Sequence, residues 1–131
     1  MKEKKTKYFS PHGLLKSFGY AAAGIGFCLR TQRNALIHLL AAIAVIAAGV
    51  LLGVSTEDWR WLVLAISLVW FAELVNTAFE HLCDVVSPDF NSSVRAAKDV
   101  AAGAVLICSL GAAVIGILTF LPYLSALIDR P

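Results

Sequence analysis

Residues 70–86 read WFAELVNTAFEHLCDVV, a run apolar enough for a membrane helix that nonetheless carries Glu73, Glu80 and Asp84. At about 100° per residue with Glu73 as origin, Asn76 falls at about −60°, Thr77 at about +40°, Glu80 at about −20° and Asp84 at about +20°. The polar side chains therefore form one stripe. A carboxylate at the centre of a membrane helix costs about 3 kcal/mol by insertion scales, so it faces protein or water and marks a functional site by default. A structural alternative also fits the pattern: Asn76 and Thr77 bond neighbouring helices, and Glu73 sits against a Lys.

The composition around this stripe makes the bilayer the expected solvent. Of 131 residues 59% are hydrophobic and the mean hydropathy is +0.76, far above an average soluble domain, and the length bounds the chain to one domain over residues 1–131. A hydrocarbon core about 30 Å thick takes roughly 20 helical residues. Three stretches meet that length: 35–54, with His38 as its strongly polar member, 59–86, and 94–121, which is uncharged from Val100 onward. The expected fold is an all-α membrane protein with three transmembrane helices. The second helix, about 42 Å long, exceeds the hydrocarbon thickness by roughly 12 Å. With Trp59 at the outer interface the apolar part ends near Ala78, which leaves Glu80 and Asp84 in the cytoplasm and Glu73 within about two turns of the boundary.

Orientation follows from the basic residues. Lys2, Lys4, Lys5, Lys7, Lys16, Arg30 and Arg33 precede the first span, Arg95 and Lys98 lie between spans two and three, and only Arg60 and Arg130 fall on the other side. That asymmetry predicts a cytoplasmic N-terminus and an outside C-terminus. It also accounts for the net charge of +2 through topology and anionic headgroups, so no nucleic-acid partner is expected. Arg30 and Arg33 interrupt the place where a signal peptide would have its apolar core, and the following run is too long for one.

Residues 1–9 read as a flexible tail, and Ser10 with Pro11 as a helix start. Over 10–33, Leu14, Phe18, Ala22, Ile25 and Leu29 share one side while Lys16, Tyr20 and Arg30 share the other with Phe27. The pattern predicts an amphipathic helix on the membrane surface, acting either as an anchor or as one wall of a site.

The next stretch, SPDFNSSVRAAKDVAAGAVLI over residues 87–107, sharpens the functional reading. Ser87 and Pro88 stop the second span, Ser92 or Ser93 is placed to cap the third, and Lys98 with Asp99 sits where that helix meets the membrane. Lys98, Asp99, Glu80 and Asp84 can thus meet at the cytoplasmic surface. Carboxylates with a Lys suit Mg²⁺ and phosphate oxygens, and equally a structural ion-pair cluster.

The run ELVNTAFEHLCDVVSPDF followed by AKDVAAGAVLI closely resembles the signature of the prokaryotic diacylglycerol kinase family, which includes the undecaprenol kinases; the resemblance covers about residues 10–121. It implies a small integral membrane enzyme of a bacterial plasma (inner) membrane. It further implies a homotrimer, with active sites between protomers at the cytoplasmic interface, that moves the γ-phosphate of MgATP to a lipid hydroxyl. The ELVNTA match makes Glu73 the counterpart of the catalytic base, in contact with the lipid substrate, and Asn76 its polar neighbour. Glu80 matches a metal-binding carboxylate, Lys98 and Asp99 the pair beside the nucleotide phosphates, and Asp89, Phe90 and Asn91 the loop that meets ATP. Tyr20 matches an aromatic of the surface helix near the nucleotide. The NTA and KDVAAGAVLI variants look more like the undecaprenol-using branch, although both diacylglycerol and undecaprenol present a primary hydroxyl near the interface.

The chain also departs from that pattern. Gln32 stands where many relatives carry the second metal-binding Glu, and a neutral amide oxygen still coordinates Mg²⁺ but with less charge. Phe90 and Asn91 replace a more usual Tyr and His. Elsewhere the motifs of P-loop and protein kinases and of zinc proteases are absent. Cys28, Cys83 and Cys108 read as free thiols, and His12 and His38 as interfacial residues. Gly49 and Gly53 form a GxxxG pair that permits close helix contact. Two competing classes remain at this point. One is a small oligomeric transporter or channel built on Glu73, in which Lys98 and Asp99 matter little. The other is an inactive membrane scaffold, suggested by Gln32.

Overall fold

The computed structural model describes residues 11–128, with side chains from Gly13 onward. The expected tail over 1–9, the Ser10 start signal, the His12 side chain and Arg130 lie outside the described residues. Four helices follow one another: α1 (Pro11–Thr31), α2 (Arg33–Leu52), α3 (Thr56–Val86) and α4 (Ser92–Ile128), with no strand among the described residues. The fold is all-α, and α2, α3 and α4 are each long and apolar enough to cross a membrane.

Each connection has a local cause. Gln32 adopts an extended conformation (φ −109°, ψ 118°), so the helix expected to run through residue 33 stops at Thr31 and a single residue redirects the chain into α2. The Gln32 amide still bonds the Cys28 carbonyl at 2.8 Å, which closes the last turn of α1. At the far end of α2, Gly53 takes φ +63° and ψ 43°, and the Gly53 and Val54 amides return to the Val50 and Gly49 carbonyls. This Schellman ending favours glycine because a Cβ disfavours the left-handed conformation. Ser55 then caps α3, its Oγ accepting from the Asp58 amide at 3.2 Å. Tyr123 of α4 ties this turn down: its hydroxyl donates to Asp58 Oδ2 at 2.6 Å and accepts from the Ser55 amide at 3.0 Å. At the other end of α3, Asn91 caps α4, with Oδ1 accepting from the Ser93 and Val94 amides at 2.9 and 3.3 Å. The cap is therefore Asn91 rather than Ser92 or Ser93, because its side-chain oxygen reaches both of those free amides.

The helices approach through small residues. Ala35, Ala42 and Gly49 are the buried positions of α2, and Leu62, Ala65, Val69 and Ala72 those of the apolar part of α3. α3 is the most enclosed of the three apolar helices and packs most extensively on α4. The large side chains of α2 and α4, such as Leu40, Val50, Ile107 and Leu118, point outward, as expected where lipid rather than water surrounds a helix. α1 touches the bundle at its C-terminal end through the buried Cys28, while Leu14, Phe18 and Ile25 remain exposed. Gly49 and Gly53 do not form a helix-pairing face of their own. Gly49 receives the Trp59 ring, where a Cβ would lie 2.8 Å from two ring carbons, and Gly53 is the left-handed cap.

That contact yields a stability test. Gly49→Val forces the Trp59 ring away and should destabilise the bundle by about 1–3 kcal/mol, the usual cost of overpacking. Thermal unfolding in detergent of Gly49→Val, Trp59→Leu and the double variant should show the pair losing less than the two single losses combined.

Candidate active site

The polar stripe of α3 is turned into the protein. Glu73, Asn76 and Thr77 are buried, Glu80 is half-buried and Asp84 is exposed, so the stripe runs outward toward the α3–α4 loop as the helical arithmetic requires. Glu73, Thr77 and Glu80 each meet a different residue of the N-terminal half. The Thr77 hydroxyl gives its one hydrogen to the Glu73 carbonyl at 2.8 Å, so the Cys28 thiol donates to Thr77 Oγ1 at 3.2 Å. The Gln32 amide donates to Glu80 Oε2 at 3.0 Å and the Asn76 amide to Glu80 Oε1 at 3.1 Å. Glu73, only 1% exposed, faces His38 of α2 rather than a Lys, with Nε2 3.9 Å from Oε2.

Gln32, Asn34, His38, Glu73, Asn76, Glu80 and Ser109 line one cavity of about 300 Å³ together with apolar residues of α4. A second, apolar cavity of about 560 Å³ runs between α2, α3 and α4. His38 and Ser109 line both, so the two spaces adjoin at those side chains. Two oxygens stand out among the described residues: Glu73 Oε2 and Asn76 Oδ1 are buried without a hydrogen-bond partner. Buried polar atoms are ordinarily paired, and unpaired acceptors in a cavity are what a proton donor or a hard cation seeks.

Of the residues singled out in the sequence, Gln32, Glu73, Asn76 and Glu80 come together. Lys98 pairs with Asp84 at the surface. Asp89 and Asp99 are exposed, as are Tyr20 at 76% and Phe90 at 81%, while Asn91 has its side-chain oxygen engaged in the α4 cap. His38, read as interfacial, and Ser109 and Asn34, not singled out, also line the polar cavity. A signal for His38 was available: it lies three residues after Ala35 and four before Ala42, the small face by which α2 packs. Cys28, Cys83 and Cys108 are free thiols.

A buried carboxylate, a second carboxylate held by two amides, and an apolar space beside them define a site for chemistry on an amphipathic substrate. Comparison with known proteins agrees. Residues 19–120 match the family model described as Prokaryotic diacylglycerol kinase. Undecaprenol kinase of Bacillus subtilis (strain 168) is 41% identical over 109 residues, covering 83% of this chain and 89% of that one. Diacylglycerol kinase of Synechocystis sp. (strain ATCC 27184 / PCC 6803 / Kazusa) is 41% identical over 115 residues, covering 87% of this chain and 66% of the relative. The chain belongs to the prokaryotic diacylglycerol kinase family. It is a multi-pass membrane enzyme that phosphorylates lipid.

The amide pair on Glu80 gives a test of the cluster. Asn76→Leu removes the donor to Glu80 Oε1 and should let the carboxylate turn away. Phosphate transfer should fall by about 100-fold, the scale of an ångström of misplacement, with the helical circular dichroism signal retained.

Proposed function

We propose that the chain transfers the γ-phosphate of ATP to the primary hydroxyl of a membrane lipid, undecaprenol or diacylglycerol, with Glu73 as general base. The observation that carries this reading is the buried Glu73 carboxylate, whose Oε2 is without a hydrogen-bond partner and which opens on a polar cavity adjoining an apolar one. A lipid tail in the apolar space brings its hydroxyl toward Glu73, while Glu80, about 10 Å further along the helix, lies on the side where a soluble nucleotide arrives. The hydroxyl proton passes to Glu73, the hydroxyl oxygen bonds to the γ-phosphorus, and the bond from that phosphorus to the β,γ-bridging oxygen breaks as ADP leaves. Little covalent work falls to the protein in phosphoryl transfer, so placement of the acceptor and neutralisation of charge carry the rate.

The donor set suits Mg²⁺. Mg²⁺ keeps several waters and takes one or two carboxylates plus substrate phosphates, and Glu80, the unpaired Asn76 Oδ1 and the Gln32 amide oxygen are all oxygen ligands. Glu80 with Gln32 would hold the ion, which supplies charge neutralisation on the β- and γ-phosphate oxygens when bound. Tyr20, Asp89, Phe90, Asn91, Lys98 and Asp99 are assigned to ATP. Tyr20, Asp89, Phe90, Asn91 and Asp99 are exposed and open to a neighbouring protomer, and the homotrimer is what the family resemblance implies. The single domain spans residues 1–131, in a bacterial inner membrane, with the N-terminus cytoplasmic and the C-terminus outside because Lys and Arg cluster on one side.

The chain is 41% identical to both an undecaprenol kinase and a diacylglycerol kinase, so identity does not separate the acceptors; the NTA and KDVAAGAVLI variants are what incline the reading to undecaprenol. Transfer from labelled MgATP to undecaprenol and to diacylglycerol in mixed micelles, beside Glu73→Gln, tests the reading. Transfer to undecaprenol should exceed that to diacylglycerol, and the variant should lose about 10²–10⁴-fold, the usual contribution of a general base. No transfer to either lipid by folded protein with ample Mg²⁺ would favour a transporter or scaffold instead. Gln32→Glu adds a carboxylate beside Glu80 and should lower the Mg²⁺ concentration needed for half-maximal activity, measured by Mg²⁺ titration at fixed ATP.

A further inference from the structure

We propose that His38 is the positioning residue for Glu73: its imidazole Nε2 orients the carboxylate toward the lipid hydroxyl at the junction of the polar and apolar cavities. The inference rests on Glu73 acting as the base. Glu73 Oε2 is buried with no hydrogen-bond partner, and His38 Nε2, on a side chain 16% exposed, stands 3.9 Å from it. Of the other donors around the polar cavity, Asn34 is exposed and the remaining three are engaged elsewhere. The Gln32 and Asn76 amides both donate to Glu80, and the Ser109 hydroxyl donates to the Val105 carbonyl at 2.8 Å.

The separation exceeds a hydrogen bond by about 1 Å. Catalytic hydrogen bonds are often long before substrate binds and tighten in the reacting complex, and a small turn of either side chain closes this one. His38 also lines both cavities, as does Ser109. A hydroxyl arriving from the apolar side therefore passes between these two side chains before it reaches Glu73. With Oε2 held by His38, Oε1 is the oxygen left to accept the hydroxyl proton. Buried Ala35 and Ala42 bracket His38 on α2 and set its depth against α3.

Steady-state kinetics of wild type, His38→Gln and His38→Leu with undecaprenol and with diacylglycerol, over a range of MgATP concentrations up to saturation, test this assignment. His38→Leu should lower kcat by about 100-fold with KM for ATP unchanged, and His38→Gln, whose amide nitrogen reaches near the position of Nε2, should recover most of that loss. A packing role would be met by the Leu side chain and not by the amide. Wild-type kcat in folded His38→Leu, or His38→Gln no better than His38→Leu, overturns the assignment. A second readout is independent of turnover: the ¹⁵N signal of the His38 imidazole in detergent should move in Glu73→Gln, and an unchanged signal refutes the pairing. If wild type phosphorylates neither lipid, the kinase reading fails, while the imidazole signal still decides the contact.

Discussion

A carboxylate taken out of water must find partners or a function, and Glu73 is the point at which that requirement acts on this chain. It sits on the most enclosed helix, nearly inaccessible, flanked by Asn76 and Thr77, which are buried with it. An isolated buried charge is strongly disfavoured in an apolar medium. Its surroundings meet that cost only in part: His38 faces it from α2 at 3.9 Å, a polar cavity adjoins it, and Oε2 is left without a hydrogen bond. The same low-polarity setting strengthens whatever interactions a reacting group makes there.

The partners of Glu73 and Glu80 reach it through helix register. α2 and α3 run antiparallel from a tight turn in which Gly53 turns left-handed, Ser55 caps α3 and Tyr123 clamps both Ser55 and Asp58. Gly49 lets the Trp59 ring close against α2. Once that end is set, the positions opposite one another further along are determined, because both helices rise by the same increment per residue. His38 comes to Glu73, and six residues earlier, at the start of α2, the cap residue Gln32 comes to Glu80, seven residues later on α3. A cap and a glycine contact at one end thereby align polar groups at the other.

Gln32 combines two roles for which the chain has one residue. It is the extended residue at which α1 gives way to α2, and its amide is one of two that hold Glu80. A neutral side chain there leaves Glu80 singly charged and well hydrogen-bonded without an added cation. An acidic side chain in the same place would set two carboxylates together, a repulsion relieved by a bound cation or a shared proton. With Gln32 the Glu80 carboxylate is organised by hydrogen bonds alone.

Much of this was legible in the sequence for a physical reason: bilayer thickness and helical rise convert directly into residue counts. Three apolar runs and the stripe Glu73, Asn76, Thr77, Glu80 and Asp84 follow from period and length, Ser87 with Pro88 marks the end of the second span, and the ELVNTA and KD motifs carry the family likeness. What period cannot supply is the identity of the residue opposite each stripe member. His38 looked like an interfacial histidine because the α2 sequence alone gives no sign of what faces it; Asn91 proved to be the α4 cap through a geometry that Ser92 and Ser93 also satisfied on paper; and Gly49 met the Trp59 ring of α3 while Gly53 became the cap of α2. Composition and spacing determined that a carboxylate lies inside an apolar helical protein. Only the tertiary structure decided that an imidazole faces it and that a polar cavity adjoins an apolar one there, because those facts depend on the mutual register of helices that are far apart along the chain.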